Sequence, residues 1–156
     1  MTMIGLVDET LTRSVIGVFF EVYNTLGYGF LEHIYKAALD RELRARGHRV
    51  AREVSVTVLY KGAELASQRL DMLIDDRLVV EVKSRSDRPE IGSAQLFNYL
   101  RATNLEVGLL LHFGPRPSFK RILCLNSWHR QTAPLDENGG AGCYAHEETD
   151  QGENNG

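Results

Sequence analysis

Residues 70–83 read LDMLIDDRLVVEVK, and this stretch decides how the central part of the chain folds. Apolar residues on both sides of the polar residues 75–77 predict two strands joined by a tight turn. If residues 75–77 form the connection, Ile74 lies opposite Leu78. A connection one residue shorter would divide the acidic side chains between the two faces, so we adopt the three-residue register. The face turned away from the charges then carries Leu70, Met72, Val80 and Val82.

In this register Asp71 lies opposite Glu81, and Arg69 lies opposite Lys83. Glu81 and Lys83 share a face because they are two residues apart on one strand. Two carboxylates placed opposite one another repel and destabilise a sheet, and a bound divalent cation removes that penalty. Lys83 beside them could orient or deprotonate an attacking water. The alternative interpretation is a solvated strand face that carries an ordinary Glu–Lys pair.

The rest of the chain supplies helices and strands on either side of this pair. Apolar residues at helical spacing predict three helices, and alternating or continuous apolar runs predict five strands. The resulting order, ααβββαββ, predicts an α/β sandwich with a central mixed β-sheet flanked by helices. The predicted helices are residues 8–26, 30–46 and 91–103, and the predicted strands are 50–60, 64–74, 78–83, 107–113 and 119–125, with a loop over 84–90.

The net charge of −3 over 156 residues divides unevenly along the chain. Residues 131–156 contain six of the 21 acidic residues and no lysine or arginine. The first 130 residues therefore carry 15 acidic and all 18 basic residues, a net charge of +3. Residues 131–156 are also rich in glycine and poor in bulky apolar residues, so we expect a disordered acidic tail after a single domain over residues 1–130.

Composition also excludes some classes of protein. No apolar run approaches the length that a membrane span needs, so we expect no membrane partner. The two cysteines are too few for a disulfide framework, which favours a cytoplasmic location.

Four segments resemble a known group of enzymes. Asp71 followed by Glu81-Val82-Lys83 resembles the D…ExK signature of the PD-(D/E)XK nuclease superfamily, although Leu70 stands where the nominal motif has proline. Residues 29–35, GFLEHIY, are similar to the namesake motif of the GxxExxY proteins, a family within that superfamily. Residues 95–99, QLFNY, are similar to its QxxxY helix motif, and residues 107–114 to the strand that follows. The resemblance covers about residues 8–125 and implies a restriction-endonuclease-like fold.

The resemblance also implies a set of site residues. Mg²⁺ or Mn²⁺ would be bound by Asp71, Glu81 and Glu32 and by the main-chain carbonyl of Val82, and Lys83 would assist hydrolysis. Glu32 can be interpreted more simply as an acid at a helix N-terminus. Tyr35 and Tyr99 can be interpreted more simply as core residues. The residues implied in catalysis are Lys83, Glu32, Asp71, Glu81 and Gln95, and those implied in substrate binding are Gln95, Tyr99 and Tyr35. Arg69 is a further candidate for substrate binding, because on the face of the acids it could neutralise a phosphate oxygen.

The sequence therefore predicts a metal-dependent nuclease that hydrolyses phosphodiester bonds in nucleic acid, with DNA as the favoured substrate. The alternative is a non-catalytic nuclease-like module that binds nucleic acid or a protein partner. A domain charge of only +3 suits recognition of nucleic-acid shape, or a homodimer that doubles the basic surface. The arginines available to hold a phosphate backbone are Arg69, Arg85, Arg88 and Arg101, with Arg44, Arg46, Arg49 and Arg52 near them in sequence.

Overall fold

A computed structural model describes residues 8–84, 89–124 and 148–150 of the chain. Its regular elements follow the predicted order, and a short sixth strand follows the last predicted one. The helices are α1 (Glu9–Leu26), α2 (Glu32–Ala45) and α3 (Pro89–Thr103). The strands are β1 (Val50–Tyr60), β2 (Ala63–Ile74), β3 (Leu78–Lys83), β4 (Val107–Phe113), β5 (Pro117–Leu123) and β6 (Glu148–Asp150).

The strands form one mixed sheet in the order β1-β2-β3-β4-β5-β6. Among the described strands only β3 and β4 are parallel neighbours, and α3 makes the crossover between them. The predicted α/β sandwich is therefore confirmed. β6 pairs with β5 and lies inside the segment expected to be disordered, so three residues of that tail have regular structure. The domain boundary near residue 130 stays a prediction because residues 125–147 lie outside the described part of the chain.

Helices cover both faces of the sheet, and each face has its own apolar cluster. The first cluster lies under α1 and α2 and includes Phe19, Tyr35, Leu39, Met72, Val80, Val82 and Phe113. The second cluster lies under α3 and includes Leu70, Val79, Leu96, Tyr99, Leu100 and Leu110. α3 packs closely on β4 at Gly108, where a Cβ atom would lie only 2.8 Å from the Leu96 side chain. Because glycine has no Cβ atom, α3 can pack closely against β4 at this position.

The turn between β2 and β3 has the predicted three-residue form. Ile74 pairs with Leu78, and the Arg77 backbone N–H donates to the Ile74 carbonyl at 3.0 Å. Asp75 and Asp76 have φ angles of 50° and 56°, a left-handed conformation that aspartate tolerates better than most residues. The register on which the Asp71–Glu81 juxtaposition depends is therefore confirmed.

The pairing of β2 with β3 stops earlier than expected. It covers Ile74, Leu73 and Met72 and does not continue toward Arg69, so the expected Arg69–Lys83 pair is wrong. The expected place of Leu70 beside Val80 is also wrong, because Leu70 packs in the cluster under α3. Glu53 of β1, which lies opposite this part of β2, has a φ of 52° and interrupts the regular alternation of side chains there.

A second polar group joins three separate elements at the turn end of the sheet. The Ser14 hydroxyl lies 2.8 Å from His48 Nε2, and His48 Nδ1 lies 2.7 Å from Asp75 Oδ2. Nδ1 is the donor in the second contact, because a carboxylate only accepts. Asp75 Oδ1 also accepts the Arg49 backbone N–H at 2.8 Å. The sequence indicated no such Ser–His–Asp order, and in the structure the chain of bonds ties α1 and the start of β1 to the β2–β3 turn.

We expect Asp75→Asn to weaken the fold in a pH-dependent way. Burial raises the pKa of Asp75, but hydrogen bonds from His48 and Arg49 lower it more, so its pKa lies below the ordinary value of 3.8. The ionised form thus stabilises the fold above pH 3.8, and this stabilisation is lost as the pH falls through the lowered pKa. The variant should lose about 1–3 kcal/mol of unfolding free energy at pH 7 in urea denaturation, and less at low pH.

Asp76→Asn is the matched control, because Asp76 occupies the same turn with the same backbone conformation and pairs only with the exposed Arg49 side chain. Equal losses in the two variants, with the same dependence on pH, would contradict the role given to Asp75.

Candidate functional site

Asp71 and Glu81 lie side by side where β2 separates from β3. The Val82 backbone N–H donates to Asp71 Oδ2 at 2.9 Å, and the Asp71 backbone N–H donates to Glu81 Oε1 at 3.2 Å. Each carboxylate therefore satisfies a backbone donor of the strand that carries the other. These two bonds take the place of the next steps of the antiparallel ladder and hold both carboxylates in fixed positions.

Glu81 is the more deeply buried of the two acids, with only 3% of its surface exposed. Burial, and then the negative charge of Asp71, raise the pKa of Glu81 to about 8, while the charge of Lys83 opposes the shift. The two carboxylates therefore do not both stay ionised at neutral pH without a further cation.

Lys36, for which the sequence predicted no role, lies against this pair. Lys36 of α2 places its Nζ 2.7 Å from Asp71 Oδ1 and 3.7 Å from carboxylate oxygens of both Glu32 and Glu53. Burial lowers the pKa of Lys36, but the hydrogen bond and charge of Asp71 and the charges of Glu32 and Glu53 raise it more, so the net pKa is above its ordinary value. A charged ammonium group thus lies among three carboxylates.

Two signals could have found part of this arrangement. Lys36 lies four residues after Glu32, which puts both on one face of α2. The β1–β2 register puts Glu53 opposite Asp71, since Arg52 pairs with Met72 and Val54 pairs with Leu70. Neither signal shows that α2 packs with this face toward β2, which is a property of the folded chain. Glu32, which was expected to reach the metal, meets Asp71 through Lys36.

Lys83 lies on the side of the sheet that α3 covers. It pairs with His112 of β4, and its Cε atom lies 3.7 Å from the position of a Cβ atom at Gly92 of α3. Its charge acts on Glu81, in keeping with the shared face that their spacing predicts. Lys83 is half-buried, so its side chain is partly open to solvent.

Gln95 and Tyr99 bring a second polar pair to the same side. Gln95 Nε2 donates to the Tyr99 hydroxyl at 2.9 Å, one helical turn along α3. Burial, and then the charges of Glu81 and Asp71, raise the pKa of Tyr99, so its hydroxyl keeps its proton. Tyr99 is only 3% exposed, which leaves little of the ring for the expected substrate contact. Because its hydroxyl accepts the Gln95 hydrogen bond, Tyr99 is better suited to position Gln95 than to contact substrate.

Tyr35 has the core-packing place that its simpler interpretation predicts, and it is too buried for the other expected role, a contact with substrate. The side chain is fully buried, and its ring stacks on Phe113 with centroids 4.1 Å apart. Its hydroxyl donates to the Gly27 carbonyl at 2.6 Å and accepts the Phe30 backbone N–H at 3.2 Å. Tyr35 thus fastens the α1–α2 connection, in which Gly29 has a φ of 113°.

Arg69 is exposed on β2 and pairs with Ser55 of β1. Several arginines expected near a phosphate backbone are occupied by acidic partners instead, which reduces the positive charge they offer. Arg44 and Arg52 contact Asp40, Arg46 contacts Glu21 and Glu42, and Arg49 contacts Asp76. Arg85 and Arg88 lie outside the described residues.

The donor chemistry of Asp71 and Glu81 fits a hard divalent cation. Both offer carboxylate oxygens, and the mutual repulsion that raises the pKa of Glu81 is relieved by a positive charge. The Val82 N–H donates to Asp71 Oδ2, so the backbone of this residue faces the acids. Within the described residues, no three His, Cys, Asp or Glu side chains are gathered as a ready metal site. The expected three-acid set with Glu32 is therefore not assembled around a common centre while Lys36 lies between its members.

We expect Glu81→Gln to change how stability depends on pH in the metal-free protein. Folding takes up a proton on Glu81 between its ordinary pKa of 4.5 and its folded pKa of about 8, so raising the pH over this range destabilises the wild-type fold. In EDTA, the wild-type unfolding free energy should fall by about 1 kcal/mol per pH unit relative to the variant.

The matched control is Glu64→Gln, which alters an exposed glutamate on the same sheet and should leave the pH profile of the wild type unchanged. Parallel profiles for wild type and Glu81→Gln would contradict the buried, charge-repelled state of Glu81.

We expect Tyr35→Phe to destabilise the fold by about 1–3 kcal/mol in urea denaturation, because the Gly27 carbonyl and the Phe30 N–H lose their partner. Tyr28→Phe is the matched control, since Tyr28 is 54% exposed and should tolerate the change. Equal stability of Tyr35→Phe and wild type would show that the hydroxyl has no structural role.

Comparison with known proteins places this geometry in a family. The chain matches the family model described as PD-(D/E)XK nuclease superfamily over residues 9–122. A solved structure described as "Crystal structure of SSO0001" is 22% identical, with a TM-score of 0.49, and the match covers 67% of this chain and 61% of that chain. The chain thus matches less than two thirds of the length of that structure. No curated protein has significant sequence similarity to the chain.

The family match spans α1 through β5 and includes both acids and Lys83. The finer assignment to the GxxExxY proteins stays a prediction from residues 29–35. The chain belongs to the PD-(D/E)XK nuclease superfamily.

Proposed function

We propose that the protein is a metal-dependent nuclease that hydrolyses phosphodiester bonds in DNA. The proposal depends on the positions of the Asp71 and Glu81 carboxylates. Each accepts a backbone N–H of the strand that carries the other acid, at the point where β2 separates from β3. A buried and a half-buried acid in this arrangement oppose folding unless a cation or a proton joins them. Their position beside Lys83 supports a role in binding a metal ion.

Asp71, Glu81 and the Val82 carbonyl would hold Mg²⁺ or Mn²⁺, which when bound acts as a Lewis acid toward the phosphoryl group. Lys83 lies on the same side as Glu81 and would orient the attacking water or accept its proton at Nζ. Gln95, whose side chain is bonded to Tyr99, would contact the scissile phosphate or the water. Glu32 pairs with Lys36 and is not gathered with Asp71 and Glu81 around one centre in the described part of the chain, so it would act as a water-positioning residue.

The substrate assignment rests on the superfamily and on charge. Arg69 and Arg101 are exposed and have no ion-pair partner within the described residues, so both are available to phosphate oxygens. The ion pairs of Arg44, Arg46, Arg49 and Arg52 leave less free positive charge than the sequence suggests. This favours recognition of a particular nucleic-acid shape over tight coating of long duplexes. No helix within the described part of the chain is long and apolar enough to cross a membrane.

The test is cleavage of labelled linear duplex, single-stranded and branched DNA, and of RNA, in Mg²⁺, Mn²⁺ or EDTA. We expect cutting of DNA only with a divalent metal. Asp71→Asn should abolish cutting because a metal ligand is weakened, and Lys83→Met should slow it about 10²–10⁴-fold, the usual contribution of a proton-transfer residue. DNA binding, measured by fluorescence anisotropy, should persist in Lys83→Met.

Lys61→Met is the matched control, since Lys61 lies in the β1–β2 turn and should leave the cleavage rate unchanged. Cutting that survives Asp71→Asn or EDTA would contradict the proposal. Binding without cutting under every metal would favour the non-catalytic module.

A further inference from the structure

Lys36 is held in the site by the packing of its own helix. The residues beside it on α2, Tyr35 and Leu39, are fully buried against the sheet, so the helix cannot turn without disturbing the core. The Lys36 side chain is only 12% exposed and reaches Asp71 across the gap between the helix and β2. Its position is therefore a consequence of the fold, unlike that of a flexible surface lysine.

The ammonium group occupies the part of Asp71 that the backbone leaves open. Val82 bonds to Asp71 Oδ2, and Lys36 bonds to Oδ1 at 2.7 Å. A carboxylate oxygen can accept more than one partner, so a metal ion shared with Glu81 competes with Lys36 for the negative charge of Asp71 through either oxygen. Glu32 and Glu53 complete the surroundings of Nζ at 3.7 Å each, so the carboxylates are already partly neutralised without a metal.

We propose that Lys36 is a built-in counter-ion of the site, which takes the place of the divalent cation in the metal-free protein and gives up Asp71 when the cation binds. The inference rests on the proposed function, because it assigns a role to Lys36 toward the same metal. Lys36 keeps the acidic cluster folded when metal is scarce, and it lowers metal affinity because two cations compete for one carboxylate.

Lys36 has other carboxylates near it besides Asp71. When it leaves Asp71, the ammonium group still has Glu32 and Glu53 within reach, since both carboxylates already lie at 3.7 Å. The lysine can therefore move aside without becoming an unpaired charge, which would be costly in this half-buried place.

The test is Mn²⁺ binding to the full chain by isothermal titration calorimetry, with thermal unfolding followed in EDTA and in excess Mn²⁺. Lys36→Met should bind Mn²⁺ at least about tenfold more tightly than wild type, because the competing charge is gone. In EDTA the variant should melt at a lower temperature than wild type, because Asp71 then has no cation. Excess Mn²⁺ should raise its melting temperature more than that of wild type.

Two control variants separate the effect of the Lys36 charge from other effects of substitution on α2. Lys36→Arg retains the charge, so its Mn²⁺ affinity should stay within about threefold of wild type, a difference well under 1 kcal/mol. Arg41→Met removes an exposed cation from the same helix and should change neither the affinity nor the metal-induced gain in stability.

If wild type binds Mn²⁺ and Lys36→Met binds it equally or more weakly, the role of Lys36 is overturned and the proposed function stays intact. A failure of both proteins to bind Mn²⁺ would overturn the inference together with the metal-dependent function.

Discussion

The hydrogen bond from the Val82 backbone N–H to the Asp71 carboxylate determines where the site lies, because it replaces a step of the β2–β3 ladder. A buried backbone donor must have a partner, and here a side chain provides it. The sheet can therefore open at this point without leaving a polar group unsatisfied. The return bond from the Asp71 N–H to Glu81 closes the arrangement, so each acid is positioned by the other strand's backbone.

Both helical layers lie close to the same acids. Lys36 of α2, which packs on one face, contacts Asp71, while Tyr99 of α3, which packs on the other face, has its pKa raised by burial and then by the charges of Glu81 and Asp71. In the resulting cluster the negative charges of Asp71 and Glu81 lie close to the positive charges of Lys36 and Lys83. Such a cluster tolerates exchange of one cation for another better than loss of a cation, because an unpaired buried charge is costly.

Local pattern predicted much of the fold. β1, β3 and β4 have the predicted bounds, and α1 differs by one residue at its start, because apolar periodicity and glycine stops act over a few residues. The register at Ile74 and Leu78 was also predictable, since only a three-residue connection keeps the acids on one face. Alternation failed at Leu70, next to the point where the left-handed Glu53 lies opposite Asp71, because strict alternation assumes regular backbone on both strands.

The sequence by itself determined the order of elements, the superfamily signature and the pairing of Asp71 with Glu81, all of which depend on residues close together in the chain. Only the tertiary structure decided that Lys36 meets Asp71 across 35 positions and that the Tyr35 hydroxyl bonds to the α1–α2 connection. The physical reason is that a helix presents several faces, and its own sequence does not say which face packs toward which strand. That choice is made by burial of Tyr35, Leu39 and Leu43, and it carries Lys36 to the acids as a consequence.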